Sequence, residues 1–266
     1  MVYFLILAGL AFTLFFAYHV VVEPVYAFLF RKPIYVHFYP FPKKLSLQQL
    51  EVLNNRFEFY AKLPVKQKRY FEHRVAKFIK QYPFYGKDGL EITDEIQVLI
   101  AATAIMLTFG MRRYLFDVID KIIVYPDIYY STINDNYHKG EFNPAMNAIV
   151  FSWKDFLEGY QISNDNLNLG LHEFGHVLHY QGLKSTDTSS TIFSATYDEI
   201  IEQIRYPANH KRMVESDYFR IYAYTNEFEF IAVVLEHFFE TPDRFQAEFP
   251  QLYELVKTMI NFKEIR

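Results

Sequence analysis

Three residues of this 266-residue chain have the types and spacing of a metal site. His172, Glu173 and His176 fit the pattern H-E-x-x-H, and their apolar neighbours predict a helix over about 167–180. Side chains four residues apart share one helix face, so both imidazoles can reach one tetrahedral Zn²⁺ at about 2.0–2.1 Å. Glu173, one position further round, would point towards the open coordination position. The pattern therefore predicts hydrolysis by a metal-activated water with a carboxylate base.

The motif is specific for a chain of this composition. With nine His and 31 acidic residues, an H-[DE]-x-x-H pattern is expected by chance about 0.03 times. The alternative is a pair of structural histidines in a helix. There is no cysteine, so any metal must be held by His and carboxylates.

A catalytic zinc needs a third protein ligand besides the two histidines. His179 is the nearest candidate, but one straight helix cannot place three ligands around an ion at good angles, so we interpret it as a supporting or core residue. A third His six residues after His176 is excluded, because that position is Gly182. A helix predicted over Asn226 to Phe239 offers carboxylates instead, each of which could also be a solvated helix face: Glu227, Glu229, Glu236 and Glu240.

The elements that must position the motif are mostly helical, with a few strands that do not alternate with helices, which predicts the α+β class. Further helices are predicted over 45–80 with a break at Leu63-Pro64, and over 96–109, 196–204 and 250–261. Strands are predicted over 122–125 and 148–153, and 129–147 is predicted to be a loop or irregular hairpin. Strand 149–153 could hold an extended peptide by edge pairing, or be an ordinary sheet member.

Residues Met1 to Val22 contain no charged side chain and are long enough to span a bilayer core as a helix. No basic region precedes them and no small-residue cleavage site follows, so we predict an uncleaved anchor; the alternative is a buried core helix. Basic residues follow the run and predict a cytoplasmic location for what comes after it: Arg31, Lys32, Lys43 and Lys44. The predicted divisions are an anchor over 1–22, a juxtamembrane linker over 23–44, with Val25 to Phe30 along the interface, and a catalytic domain over 45–266.

The composition of the chain argues against a nucleic-acid partner. The formal net charge is −4 and no segment concentrates positive charge, which argues against nucleic acid. The 28 Phe and 22 Tyr are interpreted as core residues rather than as a base-stacking surface. Nothing in the sequence indicates an oligomeric state.

Several segments together resemble a known family. The motif and a later segment resemble the gluzincin arrangement shared by the MtfA (Mlc titration factor A) family of zinc peptidases and the catalytic domain of anthrax lethal factor: Tyr222-Ala-Tyr-Thr225-Asn226-Glu-Phe-Glu229-Phe-Ile-Ala232. The match to the MtfA family is wider and covers about 45–262, through segments in that family's order: Gly89-Leu-Glu-Ile-Thr-Asp-Glu95, Ile123-Val-Tyr-Pro126, Val150-Phe-Ser-Trp153, Phe238-Phe239, Pro242 and Phe249-Pro250.

The resemblance implies a role for particular residues. It implies His172, His176 and Glu229 as zinc ligands, Glu173 as general base and Tyr222 as the donor that stabilises the oxyanion. Glu236 matches a recurrent acidic position, and we expect it to support a ligand. The chain departs from the family at His179, where Asp is usual, in a short loop after the motif helix, and in its apolar start, because familiar members are soluble.

The function expected is that of a membrane-anchored, zinc-dependent peptidase acting on peptides or proteins. One alternative is a membrane-tethered, zinc-binding regulatory module that sequesters a protein partner with little or no turnover. Another is zinc chemistry on a non-peptide substrate.

Overall fold

The computed structural model describes residues 1–131, 135–161 and 164–263. Helices form most of the described chain, and the remaining regular structure includes a small mixed sheet, which confirms the α+β class. The helices are α1 (Val2–Ala17), α2 (Glu23–Phe30), α3 (Leu47–Arg56), α4 (Glu58–Lys62), α5 (Val65–Gln81), α6 (Asp94–Leu107), α7 (Trp153–Gln161), α8 (Leu169–Lys184), α9 (Thr188–Arg205), α10 (Pro207–Glu215), α11 (Glu227–Glu240), α12 (Pro242–Glu248) and α13 (Pro250–Met259). A π-helical turn (Tyr18–Val22) joins α1 to α2, and a 3₁₀ helix (Ile221–Tyr224) precedes α11.

The sheet corrects one prediction about substrate binding. Its strands are β1 (Phe84–Gly86), β2 (Lys121–Tyr125), β5 (Gly140–Asn143) and β6 (Ala148–Ser152), while β3 (Tyr129–Ser131) and β4 (Asn136–His138) form a separate hairpin. The order is β1-β2-β6-β5, with β6 parallel to β2 and antiparallel to β5. Strand β6 is therefore interior and cannot pair with a peptide, so the edge-pairing interpretation of 149–153 was wrong. The edge strands are β1 and β5, and β5 lies inside the segment 129–147 that was predicted as a loop or irregular hairpin.

Helix α8 is held in the core by an aromatic side chain within the motif. Phe174 is fully buried, with its ring centroid 5.6–6.0 Å from those of Phe78, Phe116 and Phe151. These partners come from α5, the loop before β2, and β6, so one residue ties the helix to three regions. Burial of Phe174 fixes the rotation of α8 about its axis and therefore the direction of the motif histidines.

The motif helix, predicted over about 167–180, starts at Leu169 and continues four residues further, to Lys184. Gly182 lies where α8 meets α9, and a Cβ there would come within 2.2 Å of Phe193 Cδ1. The glycine serves close packing between two helices rather than helix termination.

Within residues 1–131, 135–161 and 164–263, one helix, Val2–Phe30, is long and apolar enough by length and composition to cross a membrane, and none of its most apolar window is buried. A buried core helix is therefore not what the structure shows. The following linker lies on the domain: fully buried Arg74 donates to Val36 O at 3.3 Å and to Tyr39 Oη at 2.6 Å. The boundaries 1–22, 23–44 and 45–266 stay a prediction.

Candidate metal centre

The motif lies in the first two turns of α8, which starts with a side-chain cap. Asn168 accepts a hydrogen bond from Leu171 N at 2.9 Å. Gly175, inside the motif, faces α11, where a Cβ would lie 3.2 Å from Ala232 Cα. The absence of a side chain at this position lets α11 approach closely and places its first turn opposite the motif histidines.

This packing brings three donor atoms together. Nε2 of His172 lies 3.1 Å from Nε2 of His176 and 3.2 Å from Oε2 of Glu229, and the remaining distance, from His176 Nε2 to Glu229 Oε2, is 3.5 Å. Ligands at 2.0–2.1 Å from a tetrahedral zinc are separated by about 3.3 Å. The three atoms therefore have the spacing of one face of such a site, and two imidazoles with one carboxylate suit a divalent metal.

Glu236 holds His172 in place. This carboxylate is 1% exposed, and its Oε1 accepts from His172 Nδ1 at 2.8 Å. It also accepts from Arg220, at 2.6 Å on Oε1 and 3.1 Å on Oε2, and from Asn168 N at 3.0 Å on Oε2. A carboxylate can only accept, so Nδ1 carries a proton and Nε2 is directed at the cluster. Such a partner fixes the tautomer and orientation of a ligating imidazole.

The charges in the cluster are coupled. Burial lowers the pKa of His172, but Glu229 and Glu236 outweigh burial and raise that pKa to about 10. Burial alone would raise the pKa of Glu229, yet His172 and His176 hold it well below its usual range. A metal ion at this position would therefore compete with a proton on His172.

Glu173 lies under the edge strand. Its Oε2 accepts from Phe142 N at 2.9 Å, and burial raises the pKa of this carboxyl. Gly140 makes room for it, because a Cβ there would lie 3.0 Å from Glu173 Oε1. The glycine, the strand edge and the carboxylate thus form one contact beside the cluster.

Tyr222 lies on the 3₁₀ helix, with its ring centroid 6.2 Å from that of His172. Burial and the neighbouring Glu229 raise its pKa to about 12, which keeps the phenol protonated at neutral pH. A pocket of about 340 Å³ opens beside the cluster and is lined in part by His172, Tyr222 and Arg220. The phenol can therefore donate a hydrogen bond to a group bound there.

His179 lies away from the three donor atoms, among aromatic rings. Its centroid is 4.6 Å from that of Tyr197 and 5.2 Å from that of Phe228. Neither ring nitrogen has a hydrogen-bond partner among the described residues. Phe228 also stacks on His176 at 4.0 Å, so one ring separates His179 from the cluster. The proposed supporting role of His179 stays a prediction.

Sequence reasoning missed Arg220, Asn168 and the β5 edge. Asn168 was detectable as a possible helix cap before an apolar periodic segment. Arg220 lies 48 residues after His172 and no local pattern marks it. Strand β5 has four residues, too few for a clear alternation of apolar and polar side chains.

Comparison with known proteins agrees with this geometry. A protein of Synechocystis described only as uncharacterized protein slr2042 is 26% identical over 239 residues, which cover 82% of this chain and 84% of that protein. The family described as glucose-regulated metallo-peptidase M90 matches residues 37–260. Because this match covers most of the chain, and because it agrees with the resemblance to the MtfA family, the chain belongs to the M90 family of metallopeptidases.

Proposed function

We propose that this chain is a membrane-anchored, zinc-dependent peptidase. The observation that carries the proposal is the mutual spacing of His172 Nε2, His176 Nε2 and Glu229 Oε2, with Glu173 and Tyr222 close to them. Membership of a metallopeptidase family supports a divalent metal and a peptide or protein substrate. Zinc is proposed because two imidazoles and a carboxylate are a usual ligand set of catalytic zinc.

Bound there, zinc would supply a water of lowered pKa and polarise a peptide carbonyl. Glu173 would take the proton of that water and deliver it to the leaving amine, and burial makes its carboxylate a stronger base. Tyr222 would donate its phenol proton to the carbonyl oxygen as negative charge develops there. An extended peptide would pair with the open edge of β5, beside Gly140.

The test separates turnover from binding. Glu173→Gln should keep one metal per chain but lose peptide hydrolysis by about 10²- to 10⁴-fold, because the base is removed and the ligands remain. Glu202→Gln, an exposed glutamate on α9, is the matched control and should behave as wild type. Metal content and hydrolysis of a peptide library are measured on the same samples. Equal turnover by Glu173→Gln and wild type would contradict the peptidase assignment, because the hydrolysis would then come from a contaminating peptidase, and would favour the regulatory-module alternative.

The membrane part of the proposal rests on the helix Val2–Phe30 and on the basic residues that follow it. We expect the full chain to sediment with membranes and to resist extraction by carbonate or high salt. The positive residues after the span favour a cytoplasmic location for the catalytic domain. Protease added outside spheroplasts should leave the domain intact, and digestion from outside would reverse this orientation.

A further inference from the structure

The apolar helix is longer than a bilayer core requires. Val2–Phe30 contains 29 residues and therefore measures about 43 Å at 1.5 Å per residue. A hydrocarbon core is about 30 Å thick, and core plus headgroup layers about 40–45 Å. If α1 and the π-helical turn cross the core, α2 lies at the level of the headgroups.

One side of α2 packs against the domain. Glu23 is 3% exposed and pairs with Arg112, and Arg31 just after the helix pairs with Glu199 of α9. Ala27, one turn after Glu23, is also buried. Contacts at both ends fix α2 against the domain, so the helix does not act as a loose tether.

The opposite side of α2 remains apolar and exposed. Phe28 is 84% exposed, and Val25 and Leu29 are also more than half exposed. A large exposed aromatic residue on a packed helix is costly in water and favourable at a membrane interface.

Part of the juxtamembrane linker lies close to the residues at which the apolar helix would leave the hydrocarbon core of the bilayer. The Tyr35 ring lies 5.2 Å from the guanidinium carbon of Arg112, and Tyr18 interacts electrostatically with both residues. Phe38 contacts Tyr35 with a centroid distance of 6.4 Å and is 73% exposed. Tyr35 therefore lies near the levels of Tyr18 and Glu23, where the headgroup layer starts, and Phe38 lies exposed beside it.

We propose that this side of the molecule is a lipid-contacting surface that seats the catalytic domain in the headgroup layer. We call it the seating surface, and it consists of Val25, Phe28, Leu29, Tyr35 and Phe38. The proposal rests on the proposed membrane anchor. Its occupant is the bilayer because the surface continues directly from the apolar helix. The exposed Lys32, 5.9 Å from the Phe30 ring, adds positive charge that favours anionic headgroups.

Seating would set the height of the metal centre. Helix α9 starts at Thr188, which accepts a hydrogen bond from Arg112. From there it runs beside α2, in the direction that leads away from the bilayer core, to Glu199, which pairs with Arg31. Helix α8 packs antiparallel to α9, and His179 of α8 contacts Tyr197 of α9. His176 and His172 lie one to two turns before His179 in α8, and therefore further from Thr188 than His179 does. The metal centre would then stand roughly 20 Å beyond the level of Thr188. Peptide segments displayed at that height, close to a membrane, are the substrates that such a geometry favours.

The absence of cysteine provides the experiment. Single cysteines are introduced into the full chain as Phe28→Cys, Phe38→Cys and, as matched control, Tyr206→Cys. Tyr206 is 62% exposed and lies at the outer end of α9. Each variant is spin-labelled in phosphatidylcholine–phosphatidylglycerol vesicles. Accessibility to oxygen, which concentrates in lipid, is compared with accessibility to a water-soluble nickel complex.

We expect the oxygen-to-nickel accessibility ratio at positions 28 and 38 to exceed that at 206 several-fold. Equal ratios at 38 and 206, in protein that sediments with the vesicles, would overturn the seating surface and leave the anchor intact. Shielding of position 38 from both reagents would mean that protein covers it, and would also overturn the proposal. Recovery of the full chain away from the vesicles would overturn the anchor itself, and sedimentation distinguishes this outcome from the other two.

Discussion

Two histidines of α8 lie seven residues apart on the same helix and have opposite environments. His172 lies between the carboxylates of Glu229 and Glu236, which raise its pKa to about 10. His179 is enclosed by aromatic rings, and burial lowers its pKa to about 4. Both are imidazoles on a largely buried helix, so residue type and burial do not distinguish them. The neighbouring carboxylates do, because they orient one ring and supply the charge that a cation requires.

The largest expected effect tests this contrast directly. His172→Ala or Glu229→Ala should abolish stoichiometric metal binding, because each leaves only two ligands. His179→Ala should retain about one metal per chain, because no donor of the cluster is lost. Metal analysis after dialysis of the purified full chain measures all three. Metal release by His179→Ala together with retention by Glu229→Ala would contradict the proposed ligand set.

The next effect concerns the phenol at the open side of the cluster. Tyr222→Phe should lower kcat by about 10²-fold, with metal content and KM nearly unchanged, because an oxyanion donor acts in the transition state. Tyr224→Phe is the matched control on the same 3₁₀ helix, since the Tyr224 hydroxyl has no partner among the described residues. Steady-state kinetics on one peptide measure both. A comparable loss in Tyr224→Phe would indicate disturbance of the helix instead.

A smaller effect tests the residue behind His172. Glu236→Gln should weaken metal binding by about 10- to 100-fold, the usual consequence of losing a partner of a ligating imidazole. The amide group of a glutamine could also place its N–H donors against His172 Nδ1, which is itself a donor, so that the hydrogen bond would be lost. Glu240→Gln, one turn later on α11, is the control, because its carboxylate contacts Asn168 rather than a ligand. Competition with a zinc-sensitive dye measures the affinities, and equal values for the two variants would remove Glu236 from the site.

The sequence predicts the parts of this site that a helix repeat places together. His172, Glu173 and His176 share a turn of helix, so their spacing indicates their chemistry without knowledge of the fold. Glu229 could only be selected from four nearby glutamates through family resemblance, because the choice depends on how α11 packs against α8. That packing is set at Gly175 and Ala232, 57 residues apart.

The parts that could not be predicted depend on long-range contacts. Arg220, which directly precedes the 3₁₀ helix, contacts Glu236 only because the folded chain brings this segment against α8 and α11. The sequence left open whether strand 149–153, now β6, is a substrate edge or an ordinary sheet member; its apolar run is typical of a strand buried on both sides. The neighbouring β5 is short and contains Gly140, so its sequence pattern is weak even though it lies beside Glu173.

The smallest expected effect concerns His179, the histidine enclosed by aromatic rings, and it changes the free energy of unfolding. The pKa of His179 is about 4 in the folded chain against 6.5 for an ordinary histidine, so the unfolded chain takes up a proton first as the pH falls. Its contribution to stability is complete above pH 6.5 and is lost as the pH falls towards 4, with about 2 kcal/mol lost at pH 5. His179→Phe should remove that part of the acid sensitivity, because phenylalanine fills the same aromatic site without titrating. Urea unfolding of both proteins at pH 7 and pH 5, with a chelator present so that metal release does not contribute, gives the difference. The same pH-dependent loss of unfolding free energy in both proteins would show that His179 is not buried as a neutral ring.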